Sequence, residues 1–245
     1  MVISTLIVFV TGDIMDSRFK VKQITKLYES CDKCGLPIIN CICNIVPKIK
    51  TKSKIWILST EREFRRPSNT ARLLKLVNPD STEFFLWERT KSPEKLIEHI
   101  NDNFFQTYIL FPIDDDLQEK DFINMNLPNN SNIDYKQSKY EISYKIPAFI
   151  LLDGTWKEAS KMFRRSEYLK NIPKISLKPS YNSEYTLRKG ASNGELCTVE
   201  AAIEILKLNG ELENAKIIKD VFDLFIKSFK AGSNGVKLSP NSIKS

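Results

Sequence analysis

The sequence predicts an α/β protein with a mainly parallel sheet and helices on both of its faces. Short continuous apolar runs recur along the chain, and segments with helical spacing separate them. The length of 245 residues is enough for one substantial core, or for a core with a small satellite. With 42% hydrophobic and 27% charged residues, the composition is that of a globular protein.

The predicted elements follow one another from Lys54 onward. Apolar runs predict strands at 54–59, 83–87, 108–112 and 148–152. Helical spacing and start signals predict helices at 68–77, from Ser92, at 155–164, over 196–206 and at 211–230. One of these helices opens with a capping serine followed by Pro93, and another with the capping-box spacing of Thr155 and Glu158.

The chain divides into five predicted parts. They are an N-terminal extension (1–28), a cysteine knuckle (29–50), the main domain (51–230), an acidic, Asn-rich insertion or lid within it (114–141), and a flexible tail (231–245). The first ten residues are apolar but too few to cross a bilayer, and they lack the features of a signal peptide. Two interpretations of these ten residues stay open: they form a first strand, or they precede the true start of translation at Met15. We expect a cytoplasmic protein with no membrane association.

The positive charge of the chain is unevenly distributed. The net charge is +7, yet residues 157–189 hold nine basic and three acidic side chains, whereas 114–141 hold seven acids and three lysines. A concentrated basic surface favours a phosphate-rich partner. A merely lysine-rich solvated surface would have the same net charge, and charge does not separate the two interpretations.

Four of the five cysteines form a compact cluster in the sequence. Two residues separate Cys31 from Cys34, six separate Cys34 from Cys41, and one separates Cys41 from Cys43. Two short-spaced pairs around a Gly/Pro turn suit a structural Zn²⁺ with four thiolates and no open position. Disulfides and an iron–sulfur cluster are the alternatives, but no feature indicates an oxidising compartment and the spacing fits neither common ferredoxin pattern. Cys197 is predicted to be a small buried hydrophobe.

The residues around Asp153 are the main candidates for chemistry. His99 is the only histidine, in a polar-looking helix, which weakens any His-dependent triad and excludes a site with several imidazoles. Asp153 directly follows five apolar residues, at the strand end where α/β sheets bind ligands, and it needs a partner there. Gly154 is expected to allow a sharp turn. Trp156 is either core or a flat wall for a base.

Several sequence blocks resemble the DTW-domain family, in particular the bacterial tRNA-uridine aminocarboxypropyltransferases. Besides the cysteine knuckle they are "TEREFRRPSNTARLL" (60–74), "LWERTKSPEKL" (86–96), "ILFP" (109–112), "LLDGTWKEASKMFRRSEYL" (151–169), "EYTLRK" (184–189) and "GELCTVEAAIEIL" (194–206). The resemblance covers about residues 29–230. The name-giving Asp, Thr and Trp are spaced here as Asp153, Thr155 and Trp156.

The resemblance implies a SPOUT-like fold with a C-terminal knot that binds S-adenosylmethionine. It implies transfer of the 3-amino-3-carboxypropyl group of this cosubstrate to N3 of a tRNA uridine, which forms acp3U and releases 5′-methylthioadenosine. Asp153 is then the expected base, or the residue that orients the uracil or anchors the cosubstrate's amino group. An RNA methyltransferase and a non-catalytic, zinc-containing RNA-binding protein are the alternatives.

Two residue sets are assigned on this resemblance. The cosubstrate pocket is expected to include Phe111, Pro112, Asp114, Leu152, Asp153, Gly154, Thr155, Trp156, Leu196, Cys197, Thr198 and Glu200. The contacts to tRNA phosphates are expected from Arg62, Arg65, Arg66, Arg89, Lys161, Arg164, Arg165 and Arg188, each of which could instead be an ordinary surface residue.

Overall fold

The computed structural model describes residues 20–111, 122, 145–177, 183–185, 187 and 196–238. These residues form one five-stranded sheet, and every pair of neighbouring strands in it is parallel. The strands are β1 (Lys54–Ser59), β2 (Thr82–Leu86), β3 (Phe105–Leu110), β4 (Ile146–Asp153) and β5 (Lys174–Ile175). The predicted α/β class with a parallel sheet is therefore confirmed.

Seven α-helices and a short 3₁₀ turn accompany the sheet in the described residues. The 3₁₀ turn spans Ile38–Asn40. The helices are α1 (Glu61–Phe64), α2 (Ala71–Val77), α3 (Glu94–Asn101), α4 (Trp156–Arg165), α5 (Glu167–Lys170), α6 (Thr198–Leu208) and α7 (Leu212–Ser233). None of them is long and apolar enough to span a membrane.

The helices cover both faces of the sheet, as predicted. On one face, Ile57 and Leu151 pack in a core with buried residues of α2, α6 and α7. On the other face, Trp56 and Leu58 pack with buried residues of α3 and α4. Successive side chains of β1 thus enter different cores, which explains why its sequence is continuously apolar rather than alternating.

The strand order β2-β1-β4-β3-β5 creates a switch in direction between β1 and β4. After β1 the chain moves outward to β2, whereas after β4 it moves past β3 to β5 on the opposite side. The last residues of the two strands, Ser59 and Asp153, lie opposite each other in the ladder. A switch point of this kind leaves a crevice at the carboxyl ends of the strands, which is where open α/β sheets bind ligands. We call this side of the sheet the carboxyl edge.

Most predicted elements agree with the structure within a few residues. The predicted strand 54–59 matches β1, and Thr155 caps α4 in the predicted capping box with Glu158. Pro93 occupies the cap position of α3 rather than its first turn, because helical geometry begins at Glu94. The short elements α1, α5 and β5 were not predicted.

The knuckle rests on the C-terminal part of α7. The Asn40 Nδ2 group donates to the Ser228 carbonyl at 3.3 Å and to the Val236 carbonyl at 2.8 Å, and Asn40 Oδ1 accepts from Leu238 N–H at 2.9 Å. A Cβ added to Gly232 would lie 2.8 Å from Pro37 Cγ. The expected tail, 231–245, therefore overlaps the end of α7 and a bonded segment up to residue 238.

Some expectations fall outside the described residues. These are the extension up to residue 19, the last part of the tail, and the whole insertion apart from Phe122. The predicted site residues Pro112, Asp114 and Arg188 also lie outside the described residues. Phe122 itself forms an isolated parallel bridge with Lys174 beside β5.

Candidate functional site

Asp153 is held at the carboxyl edge by three side chains from separate segments. Its Oδ2 atom accepts hydrogen bonds from Ser59 Oγ and Asn69 Nδ2, each at 2.7 Å. Its Oδ1 atom accepts one from Thr198 Oγ1, also at 2.7 Å. The carboxylate is only 3% exposed, so these bonds replace its hydration. We call Ser59, Asn69, Asp153 and Thr198 the Asp153 cluster.

The fold explains how these partners meet. Ser59 ends β1 and Asp153 ends the adjacent β4, while Thr198 is the first residue of α6. Asn69 lies in the turn that leads into α2, where its Nδ2 group also binds the Glu63 carbonyl at 3.1 Å. Sequence analysis had predicted Asp153 and Thr198 as site residues. It missed Ser59, whose signal is a hydroxyl at the end of an otherwise apolar strand.

Two capping boxes flank the Asp153 cluster. Thr155 and Glu158 form the box at the start of α4, with the Thr155 N–H donating to Glu158 Oε2 at 2.8 Å. Cys197 and Glu200 form the corresponding box at the start of α6, with the Cys197 N–H donating to Glu200 Oε2 at 2.8 Å. Both helices thus direct their N-termini toward this edge, and each is closed by its own glutamate.

Gly154 lies in the bend between β4 and α4, where a sharp turn was predicted. Its backbone does not have a positive φ, so no left-handed turn requires glycine here. An added Cβ would instead lie 3.0 Å from Glu158 Cβ, inside the first turn of α4. The glycine therefore allows close approach of the chain to the capping glutamate.

The aromatic part of the predicted pocket is mostly core. Phe111 is buried, and its ring centroid lies 4.5 Å from that of Phe163 and 5.5 Å from that of Trp156. Leu152 packs against the same core. Trp156 is 38% exposed, so it is the member of this group that offers a ring face at the surface. Leu196 is half-buried and directly precedes Cys197.

Glu200 and Cys197 stabilise the entry to α6. Glu200 is 2% exposed and also accepts from Ser183 Oγ at 2.6 Å and from the Glu184 N–H at 2.8 Å. Burial, together with the nearby Glu200 charge, raises the pKa of the Cys197 thiol well above its usual value. Cys197 is partly buried against the core, whereas it was predicted to be a small buried hydrophobe.

Arg72 is a buried cation that sequence analysis did not select. It is 7% exposed, and its Nη1 group donates to the Asp32 carbonyl in the knuckle at 2.8 Å. Burial lowers the pKa of Arg72, while the charges of Asp153 and Asp32 oppose this shift. In the sequence it resembles any charged residue of an amphipathic helix. The knuckle that covers it causes its burial.

The four closely spaced cysteines, Cys31, Cys34, Cys41 and Cys43, can hold a metal ion. Their Sγ atoms all lie within 4.8 Å of one another, and none of the four forms a disulfide. The hydrogen bond with Cys31 raises the pKa of the Cys34 thiol to about 12, whereas bonds with Cys34 and Cys43 lower the pKa of Cys31. One thiolate is thus favoured at Cys31 while a second is opposed at Cys34, and a bound divalent cation would relieve this opposition. We call them the four-cysteine cluster.

The described arginines predicted to bind RNA occupy different places. Arg62 lies at the carboxyl edge, 3.7 Å from Glu158 Oε1, and Arg66 pairs with the buried Glu63 nearby. Arg65 pairs with Glu61 at 3.7 Å. The remaining described members are exposed. Lys161 lies on α4, Arg164 and Arg165 lie at the C-terminal end of that helix, and Arg89 follows β2.

His99 contributes to packing away from the Asp153 cluster. Its ring stacks on Trp56 with a centroid distance of 5.2 Å, and its Nε2 atom lies 3.2 Å from Glu83 Oε2. These contacts lie between α3 and the sheet, so the histidine is a structural residue rather than a catalytic one.

Known relatives of this chain include three eukaryotic proteins, each described as tRNA-uridine aminocarboxypropyltransferase 2. The relative from Drosophila melanogaster is 25% identical over 183 residues, which cover 73% of this chain and 65% of that protein. The Mus musculus relative is also 25% identical over 183 residues, which cover 73% of this chain and 55% of that protein. The Macaca fascicularis relative is 31% identical over 67 residues, which cover 26% of this chain and 22% of that protein.

The chain thus spans about two thirds or less of the length of the curated relatives it matches. No solved structure matches it. The family model for the DTW domain matches residues 28–230, a range that contains the four-cysteine cluster, the Asp153 cluster and every strand of the sheet. This match covers most of the sequence, and the chain belongs to the DTW-domain family.

Proposed function

We propose that this protein is an S-adenosylmethionine-dependent tRNA-uridine aminocarboxypropyltransferase. The reaction transfers the 3-amino-3-carboxypropyl group to N3 of a tRNA uridine, forms acp3U and releases 5′-methylthioadenosine. The observation that carries this proposal is the Asp153 cluster at the switch point of the sheet, in a chain whose relatives bear this name. We further propose a SPOUT-like fold with a C-terminal knot and a cytoplasmic location.

The charges at the carboxyl edge support a cationic ligand. Helix N-termini often bind phosphate, but α4 and α6 are each closed by a glutamate from their own first turn. Asp153 adds a third carboxylate between Glu158 and Glu200. Glu158 is paired with Arg62 and Glu200 accepts several hydrogen bonds, so Asp153 is the acid that favours a positively charged group, such as a sulfonium or an ammonium.

Asp153 is proposed to orient a ligand N–H group. Among the described residues, its Oδ2 atom has two donors, whereas Oδ1 has one, Thr198, and retains acceptor capacity. The cosubstrate ammonium and the uridine N3–H are both suitable donors for this atom. Trp156, with its exposed ring, is proposed to stack on a base that is turned out of the tRNA.

The cosubstrate supplies an activated leaving group, because its sulfonium departs as a neutral thioether when the new N–C bond forms. The protein must then place N3 in line with the methylene carbon and shield the methyl group. The N3 proton leaves as the bond forms, and Asp153 is proposed to accept it and to pass it to solvent. The Asp153 cluster and both capping boxes are rigid elements that suit this positioning role.

The tRNA is proposed to approach across α1 and the start of α4. Arg62, Arg65 and Arg66 lie there, at the same edge as Asp153. Arg164 and Arg165 lie about 13 Å further along α4, at 1.5 Å per residue, and would contact a more distant phosphate. The other predicted phosphate contacts remain part of this proposal.

Product analysis separates the proposed reaction from its closest alternative. The protein is incubated with tRNA and S-adenosylmethionine, and the small products are identified by mass spectrometry. Formation of 5′-methylthioadenosine and acp3U supports the proposal, whereas S-adenosylhomocysteine would indicate a methyltransferase. Binding of tRNA without either product would indicate a non-catalytic RNA-binding protein.

We propose that the metal of the four-cysteine cluster is a structural Zn²⁺. Four sulfur ligands fill a tetrahedral site and leave no position for chemistry. The variant Cys34→Ser is expected to lose bound zinc and to unfold at lower temperature, as measured by metal analysis and calorimetry. Cys197→Ser is the matched control, because Cys197 lies outside the cluster, and its zinc content should remain unchanged. Full zinc content in Cys34→Ser would contradict the assignment.

A further inference from the structure

The four-cysteine cluster and the Asp153 cluster are connected through one short segment, residues 67–72. On its knuckle side, a Cβ added to Gly35 would lie only 2.4 Å from the Pro67 carbonyl oxygen, so the two backbones are in direct contact. On its other side, Asn69 donates to Asp153 Oδ2 at 2.7 Å. A displacement of the knuckle would therefore reach Asp153 across very few residues.

Arg72 provides a second connection. Its Nη1 group donates to the carbonyl of Asp32, which lies between the ligand candidates Cys31 and Cys34. Three residues earlier on the same segment, Asn69 donates to Asp153 Oδ2. The charges of Asp153, of Asp32 and of both cysteines also act on the guanidinium. Arg72 is thus a buried cation that contacts the knuckle directly, near two carboxylates and a group of thiols that becomes anionic when it binds a metal.

The remaining donors of Arg72 also suggest a role beyond packing. Among the described residues, its buried Nε and Nη2 groups have no hydrogen-bond partner. Unpaired buried donors on a charged group are costly, so a compensating interaction is required. The negative charges on both sides of Arg72 provide one, and each side therefore depends on the position of the guanidinium.

We propose that Arg72 is a positioning residue that couples the four-cysteine cluster to the Asp153 cluster. Through it, metal binding in the knuckle helps to hold Asp153 and the start of α6 in place, and an ordered Asp153 cluster helps to retain the metal. The consequence for cosubstrate binding rests on the proposed function, whereas the coupling between the two clusters does not.

The test compares Arg72→Met with the control Lys75→Met in the zinc-loaded full chain. Lys75 lies on the same helix, but its Nζ group binds the carbonyls of Pro79 and Thr82, away from both clusters. Two quantities are measured: the rate of zinc loss to a chelator, and the hydrogen exchange of peptides covering 29–37 and 196–203. In Arg72→Met we expect zinc loss to be about tenfold faster, with faster exchange in both peptides. In Lys75→Met both should stay within about twofold of the wild type.

Effects at one cluster alone would overturn the coupling. Faster zinc loss with unchanged exchange at 196–203 would make Arg72 a support of the knuckle only. Faster exchange at 196–203 with unchanged zinc loss would make it a support of Asp153 only. If Arg72→Met does not fold, Arg72→Lys replaces it, because a lysine keeps the charge but loses the planar fork. In Arg72→Lys we expect zinc loss and hydrogen exchange at both clusters to be faster than in the wild type, but by less than in Arg72→Met. A change at only one cluster would again contradict the coupling.

Binding of S-adenosylmethionine, measured by calorimetry, extends the test to the proposed function. We expect about tenfold weaker binding in Arg72→Met and unchanged binding in Lys75→Met. A wild-type protein that binds no S-adenosylmethionine would count against the proposed function. The zinc and exchange measurements would still decide the coupling.

Discussion

Asp153 and Glu211 are both buried carboxylates, but they lie at opposite edges of the sheet and are held in different ways. Asp153 is bonded by three side chains at the carboxyl ends of the strands. Glu211 precedes α7 and lies beside the start of β1, where it accepts from the backbone N–H groups of Lys52 and Ser53. The side chains of Ser53, Asn209 and Asn214 complete its set of donors.

The difference between them separates a structural carboxylate from a functional one. Five donated bonds distribute over both oxygens of Glu211 and leave little capacity for a ligand. Among the residues that the structure describes, Asp153 has fewer partners, all of them side chains, and its Oδ1 atom has one donor. It also lies beside the incompletely bonded Arg72. Burial alone does not distinguish the two acids, whereas the completeness of their hydrogen bonding does.

The largest expected contrast comes from removing the charge of Asp153. Asp153→Asn should lower the turnover of aminocarboxypropyl transfer by about tenfold to a hundredfold, because the ligand N–H group loses its charged acceptor. The protein should remain folded, as checked by circular dichroism. Turnover close to that of the wild type would remove Asp153 from the proposed mechanism.

Glu211→Gln should give the opposite pattern. We expect a loss of about 2 kcal/mol in the free energy of unfolding, because the amide cannot accept all five hydrogen bonds. Turnover at a temperature where the variant is folded should stay within about twofold of the wild type. Denaturant unfolding and product formation are measured on the same preparation. A strong loss of turnover in folded Glu211→Gln would contradict the proposal that Glu211 is structural and Asp153 functional.

A smaller effect is expected from the hydroxyl that binds Asp153 Oδ1. Thr198→Val keeps the shape of the side chain but removes this donor, so KM for S-adenosylmethionine should rise about fivefold with a smaller change in kcat. Thr198→Ser retains the hydroxyl and should restore most of the affinity. Equal behaviour of the two variants would show that the hydroxyl has no part in ligand positioning.

The smallest expected effect is the pH dependence of the Glu211 contribution. Burial acts to raise the pKa of Glu211, but hydrogen bonds from Ser53, the Lys52 N–H and two asparagines outweigh it, and the pKa is lowered. A lowered carboxyl pKa stabilises the folded state above the unfolded value of about 4.3, and this stabilisation is lost as pH falls through the folded pKa.

The difference in unfolding free energy between wild type and Glu211→Gln should therefore be constant above about pH 5 and shrink at lower pH. Urea unfolding between neutral and acidic pH measures it. A difference that grows on acidification would contradict the direction of this shift.

Local patterns in the sequence were sufficient for most of the sheet and its helices. The run "KIWILS" coincides with β1. It was recognisable because the β1 side chains that enter the cores on the two faces of the sheet are all apolar. The prediction for β3 was shifted to 108–112, whereas the strand spans Phe105–Leu110, because Gln106 and Thr107 pair with β4 despite their polar side chains. The two-residue β5 has no detectable local pattern.

The site depended on contacts that local patterns do not contain. Asp153 was predicted from its place after an apolar strand, but its partners are 94, 84 and 45 residues distant in the sequence. Arg72 was missed because its burial comes from the knuckle, 40 residues earlier. The four-cysteine cluster was predicted because its four ligand candidates are residues of one type within 13 positions, a pattern that is visible in the sequence.

The bond between Asn40 and Ser228 has a consequence for the order of synthesis. The two residues are 188 positions apart, so a ribosome that adds about 5 to 20 residues per second completes the knuckle roughly 10 to 40 s before its seat on α7 exists. During this interval the thiols are already present, while Pro37 and Asn40 have no surface to rest on. The nascent chain thus acquires its metal ligands early and its final anchor last, so that a premature stop before Ser228 would release a knuckle that cannot dock.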